Sequence, residues 1–419
     1  MAIAADDADR SAVAAKITDE DIDRHRRQIG VSQHVIGEFF NREVSLDGIR
    51  HYAFGMIGDD NPLWHDPDYG ASTRWRGQIA PPFFASTIGI NETPRPTPEL
   101  KALFKGLYRG VGHYNVGSRW QMFRPLRAGE TIYHDQSVDH VEVKEKSAFA
   151  GGRTVFERLR HLYFDKDGSP VAVRYESYIN AERGGSAKAG KYSHIERHVY
   201  SEEEIARIDT LYRNEERRGA DTRLWDDVSV GDEIVPVVKG PLSIVEIIGA
   251  HVGWGLGVPP YGGGPLRYDW KTRDRMPAFY NRDRHGIPSS MMRLHWDADR
   301  ARELGLPAPY DYGQMRSNWL AHAATNWMGD EAWIHEFETK IDSFNFHGDT
   351  TIVSGVVTGK RMDGHHPLVE LTLSGTNQRG EVSCKGVARI ALPSHKQPAV
   401  LLPKAPQDLC ERAAALMLR

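Results

Sequence analysis

The chain repeats itself, and that repeat constrains what it can fold into more than any other feature. Asp66 to Pro82 lies over Asp297 to Gly313 without a gap, and Gly129-Glu-Thr131 lies over Gly348-Asp-Thr350, each just before a strand. Self-similarity of this kind tests an architecture without any second sequence. Each half reads as an N-terminal helix, a Pro/Gly-rich loop, a central apolar helix and an antiparallel sheet.

The sheets are read from partial alternation of β-branched and aromatic residues. Tyr133–Val143, Thr154–Phe164 and Val171–Ile179 form a meander with a turn at Asp165–Gly168. The arrangement returns as Thr350–Thr358, Leu368–Ser374 and Val382–Leu392, broken at Asp363-Gly364 and Asn377–Gly380. The second central helix spans Gln314 to Met328, with Met315, Trp319, Leu320, Ala323 and Trp327 on one stripe and Gly329 as its stop. Ser201 and Glu204 open a connecting helix as a capping box, after the small, aperiodic segment Arg183–Gly190. A long helix wrapped by an antiparallel sheet is the hotdog layout, so the fold class is α+β, a double hotdog. The organisation is an arm over 1–29, a first domain over 30–183, a linker over 184–225, a second domain over 226–393 and a tail over 394–419.

Composition narrows the function classes. Of 419 residues, 53 are Lys or Arg and 57 are Asp or Glu, a formal charge of -4, so no broad basic field argues for nucleic acid. No apolar run approaches the roughly 18–20 residues that span a bilayer, nor does Met1–Lys16 hold a secretory core. Two cysteines, Cys384 and Cys410, build neither a disulfide framework nor a four-thiolate zinc site. A cytoplasmic protein is expected, without membrane or nucleic-acid partners.

Tyr52 to Pro67 contains Asp59-Asp-Asn61-Pro-Leu-Trp64-His65-Asp, which resembles the Asp-x-Asn-Pro-x-His-x-Asp pattern of MaoC-like and hydratase 2-type (R)-specific enoyl-CoA hydratases. The resemblance follows the repeat over most of 30–393; the first half looks most like the fatty-acid-synthase-type dehydratase subgroup, the second like the MaoC domain. It implies that an Asp and a His handle water while a backbone N–H at the start of the central helix supports the thioester oxyanion. Such chemistry needs an acid/base and a fixed donor.

The motif carries over unevenly. In the first half the family Asp and Asn fall on Asp59 and Asn61, but the His position falls on Trp64, with His65 one place later, and Pro81-Pro82 replaces the helix-entrance Gly. Proline has no N–H to donate. In the second half the His falls on His295 and the Gly on Gly313, whereas the Asp and Asn positions hold Ser290 and Met292. The resemblance thus implies an active C-terminal half and an acyl-binding first half. His295 is expected as general acid/base and Gly313 N–H as oxyanion donor, with Asp311 or a water on Ser290 as partner; Asp59 with His65 is the second choice. Tyr312, Tyr310, Asn61 and Trp64 are expected to contact substrate.

The implied substrate is a 3-hydroxyacyl or 2-enoyl thioester of coenzyme A or of an acyl carrier protein, with no cofactor and no metal, and a homodimer is compatible with the family. Two other readings stay open: a hotdog thioesterase, and an acyl-CoA-binding subunit without catalysis. Gly255 to Met292 is an insertion whose Trp270, Phe279 and Tyr280 either line a bulky acyl pocket or cover a sheet edge. Arg109, Arg119, Arg124 and Arg127 are candidates for coenzyme A phosphates, or plain surface charge. His194 and His198 have metal-pair spacing but no third ligand, and Gly253-x-Gly-x-Gly257 runs into Val-Pro-Pro, not a helix.

Overall fold

A computed structural model describes residues 16–34, 41–108, 110–146, 152–182, 192, 195–255, 266–275 and 277–418. The first half contributes β1 (Gly112–Met122), β2 (Ile132–Lys144), β3 (Thr154–Asp165) and β4 (Pro170–Ala181). After the short strand β5 (Val237–Lys239) and a hairpin of β6 (Tyr280–Arg282) and β7 (Pro288–Ser290), the second half contributes β8 (Trp333–Ile341), β9 (Thr351–Asp363), β10 (His366–Asn377) and β11 (Val382–Ala391). All but the hairpin form one antiparallel sheet in the order β2-β3-β4-β1-β8-β11-β10-β9-β5. The order of the first four strands is mirrored by the second four, so the repeat is a pseudo-twofold about the β1–β8 seam.

That seam explains one glycine. β1 bulges between Asn115 and Gly117, and a Cβ on Gly117 would stand 2.0 Å from the Thr339 carbonyl oxygen of β8. Only glycine permits that approach. Beyond it, Trp120 stands opposite Phe337, and both are buried in a core that runs through the two halves without interruption.

The central helix of the second half spans Gly313–Met328. Every residue from Met315 to Met328 is buried, so the apolar stripe read from the sequence is one face of a helix enclosed on all sides. Its polar residues, Arg316, Asn318, His322, Thr325 and Asn326, are therefore inside the protein. Buried polar groups need partners: Asn318 and His322 reach Tyr52 and Asp59 of the first half, Asn326 reaches Glu215 of the linker, and Arg316 and Thr325 bond within the second half.

The halves differ where the sequence reading made them alike. In place of a central helix the first half has one 3-10 turn, Phe84–Thr87. Pro81-Pro82 precedes it, and β-branched residues, Gly89 and prolines at 94, 96 and 98 follow, so no helix can propagate. Beside that turn lies a pocket of about 690 Å³, open solvent included, lined by Trp64, Phe84, Trp120, Ala172, Met328 and others.

The described parts of the segments expected as an arm and a tail, 16–29 and 394–418, each hold a packed helix. Asp19–Arg26 is a helix capped by the Thr18 side chain, with His25 Nε2 3.0 Å from Glu157. Gln407–Met417 is a helix whose Leu409 and Ala413 pack on Phe123, Leu162 and Val173 of the first half. Arg412 Nε donates to Asp135 Oδ2 at 2.6 Å. The spacing of Leu409, Ala413 and Leu416 is that of an amphipathic face. In the insertion, Leu266–Arg275 is a helix with Trp270 58% exposed and outside the lining of the cavity beside Phe84; Pro259–Pro265 lies outside the described residues.

Candidate active site

His295 ends a 3-10 turn, Met291–His295, that follows β7. Two residues on, Asp297 accepts hydrogen bonds from Asp299 N and Arg300 N and caps the next helix, as Asp66 does from Asp68 N and Tyr69 N in the first half. The repeated aspartate thus fixes the same chain path twice, with His295 and Trp64 in equivalent slots.

The Nδ1 of His295 lies 2.8 Å from the Tyr310 carbonyl oxygen. A carbonyl only accepts, so Nδ1 carries the proton and Nε2 holds the lone pair. The ring centre is 4.1 Å from that of Tyr312, whose hydroxyl is 3.0 Å from His251 Nδ1. Burial pushes the His295 pKa down to about 4, which keeps the imidazole neutral near pH 7. Tyr312 is the cap residue and Gly313 the first residue of the central helix. The first N–H groups of a helix have no intrahelical acceptor and lie at its positive end.

Asp311 does not serve His295. Its side chain is fully buried, with Oδ2 3.0 Å from Arg316 Nε and 3.4 Å from Asn345 Nδ2, and its N–H donates to the Asn345 carbonyl at 3.0 Å. Burial raises its carboxyl to about 7 against the lowering by Arg316. Asp311 stands just before the helix and Arg316 is its fourth residue, so the pair draws the carboxylate towards the helix rather than towards the imidazole. Ser290 is buried beside this turn, but its side chain makes no capping bond there and none to His295 among the described residues.

In the first half, Asp59 Oδ2 accepts from Trp64 Nε1 at 2.7 Å and Oδ1 from Asn61 N at 2.9 Å, while Asn61 Oδ1 accepts from Leu63 N at 3.0 Å. His65 instead bonds the Asp60 carbonyl at 2.9 Å and packs beside Phe54, so it does not pair with Asp59. Trp64 takes the inward slot, and the next residue necessarily points elsewhere.

Asp59 does have a histidine, from the other half. The Nε2 of His322 is 3.3 Å from Asp59 Oδ1 and 3.2 Å from Glu215 Oε1. Lys239 Nζ lies 2.7 Å from His322 Nδ1 and donates to the carbonyls of Ile57 and Gly58 at 2.9 and 3.0 Å. Burial opposes charge on Asp59, but His322 and the Trp64 and Asn61 bonds hold its carboxyl well below the usual range. Burial and Lys239 disfavour the imidazolium, yet Asp59 and Glu215 outweigh them and raise His322. Nothing local in the sequence signals this network, whose members stand at positions 59, 215, 239 and 322.

A second, smaller cavity of about 220 Å³ lies by the first turns of the central helix, and Phe83 and Trp120 line both cavities. Two of the arginine candidates are engaged internally: Arg124 pairs with Glu130 and Asp165 at 2.7 and 3.2 Å, and Arg119 with Glu336. Arg109 and His194 lie outside the described residues, and His198 contacts Glu204 at 3.1 Å.

Residues 12–174 match the family described as FAS1-like, dehydratase domain region. A solved MaoC-like dehydratase superposes with a TM-score of 0.57 at 16% identity, over 87% of this chain and 98% of that one. A MaoC domain protein dehydratase from Chloroflexus aurantiacus superposes at 0.50 with 13% identity, over 84% and 93%. No curated protein sequence matches. The fold is therefore the double hotdog, as in these solved structures, and residues 12–174 are similar to the FAS1-like dehydratase region. Among the described residues no helix is long and apolar enough to cross a membrane.

Proposed function

We propose that this chain adds water to, and removes it from, acyl thioesters, interconverting a 3-hydroxyacyl and a 2-enoyl thioester of coenzyme A or an acyl carrier protein. The observation that carries this reading is His295: a neutral imidazole with a fixed tautomer beside the N-terminus of a buried helix. In the dehydration direction Nε2 takes the α-proton while charge builds on the thioester oxygen towards the Gly313 N–H. The imidazolium then returns that proton to the β-hydroxyl, which leaves as water. One base moves one proton, and no carboxylate partner is required for the balance.

Asp311 and Arg316 hold the Tyr310–Gly313 loop that carries both the carbonyl orienting His295 and the oxyanion donor. The cavity beside Phe84 suits the acyl tail, since its walls are mostly apolar and aromatic. The family region and the fold support the reaction class. Incubation of purified protein with crotonyl-CoA and longer 2-enoyl-CoA esters, with products identified by mass spectrometry, tests it: the 3-hydroxyacyl ester is expected, and recovery of unchanged ester throughout the panel would sink the reading.

A further inference from the structure

Six of the eight residues lining the smaller cavity are polar, and nothing in the reaction uses it. Ser86, Ser118, Arg174, Gln314, Ser317 and Asn318 line it, with Phe83 and Trp120 closing it from the apolar cavity beyond. It is held in place by charge. Glu176 pairs with Arg174, accepts from Asn115 Nδ2 and Gln314 Nε2 at 2.9 Å each, and lies 3.4 Å from His161 Nε2. Burial disfavours its charge, but Arg174 and His161 bring the Glu176 carboxyl down to about 2. Burial keeps His134 and His161 lowered, so the cluster is one cation against one anion.

Arg174 is 6% exposed and its Nε has no hydrogen-bond partner, a donor in a buried site that a ligand can satisfy. Gly313 adjoins this cluster through Asn115, which a Cβ on Gly313 would approach to 3.4 Å. Ser317 and Asn318 stand four and five residues past Gly313, about 6–8 Å along the helix. Gln314, next to Gly313, lines this cavity, and Phe83 and Trp120 line both, so it lies between the helix entrance and the apolar cavity.

We infer that the acyl chain of the cognate thioester carries a neutral oxygen function, a ketone or hydroxyl about five carbon–carbon bonds from the thioester carbonyl, received by the donors around Ser118, Asn318 and Arg174, with an apolar tail beyond it. A carboxylate does not fit, because Glu176 already neutralises Arg174. This inference rests on the proposed function for its orientation, and its test is separate from turnover.

Calorimetry of wild-type protein with decanoyl-CoA, its 5-, 6-, 7- and 8-oxo analogues and an ω-carboxy ester reads the inference directly. One oxo ester should bind about tenfold more tightly than decanoyl-CoA, and Ser118→Ala should shrink that ratio. Decanoyl-CoA binding as well as every oxo ester, or the ω-carboxy ester binding best, would overturn it, as would failure of all these esters to bind. A preserved oxo preference in a protein that hydrates no enoyl ester would instead overturn only the hydratase reading.

Discussion

His322 Nε2 stands 3.3 Å from Asp59 Oδ1, so the carboxylate of the first-half Asp-Asp-Asn-Pro segment is bound to the central helix of the second half. With Lys239 and Glu215 on the same imidazole, the motif aspartate joins the halves rather than facing a free base. A buried pair broken on one side leaves an uncompensated charge, about 3–5 kcal/mol of destabilisation. Asp59→Ala is therefore expected to lower the midpoint of thermal unfolding strongly while the molecules that remain folded keep their turnover. Equal loss of activity at unchanged stability would assign Asp59 to catalysis.

The same network sets a pH optimum for stability. Asp59, held low when folded, adds stability that is present above about pH 3.9 and lost as pH falls through its folded pKa. His322, raised when folded, adds stability present in full below about pH 6.5 and lost as pH rises through its folded pKa. The contribution is thus largest between about pH 4 and 6.5. Urea titrations across pH should show His322→Gln flattening the alkaline decline of the wild type; parallel curves would rule the pair out as its source.

Much of this was legible in the sequence. Six strands emerged within a few residues of their reading because turns such as Asp363-Gly364 and alternating β-branched residues act locally. The β1 and β8 strands at the seam were not read, since Gly112–Met122 and Trp333–Ile341 mix charged and aromatic residues without clean alternation. His295 and Gly313 were legible through the repeat. Lys239, Glu215 and His322 were not, because nothing local announces that residues far apart in the chain will share one buried imidazole.

Gly313 provides a test of the oxyanion donor that leaves the helix in place. It is the first helical residue, where proline is favoured, and Tyr312 before it has φ -83 and ψ 140, a conformation that proline tolerates in its neighbour. Gly313→Pro should lower kcat about 100- to 1000-fold, whereas Gly313→Ala, whose Cβ finds ordinary contacts, should retain most of it. Similar rates for both variants would remove Gly313 N–H from the mechanism.

The large cavity should decide chain length. Ala172 is 5% exposed and faces it, so Ala172→Phe fills space rather than overpacking a dense core. Its kcat/KM should fall at least about tenfold for ten-carbon and longer enoyl esters and change little for crotonyl-CoA. A uniform loss across chain lengths would place the acyl tail elsewhere.

The most direct measurement is hydration of a 2-enoyl-CoA panel by wild type and His295→Ala, followed by the enoyl thioester absorbance alongside thermal unfolding and a pH profile. The account predicts a loss of about 100- to 10,000-fold in His295→Ala with folding retained, and a wild-type kcat/KM that is flat near neutrality and falls as pH drops through about 4. Undiminished hydration by His295→Ala would contradict it.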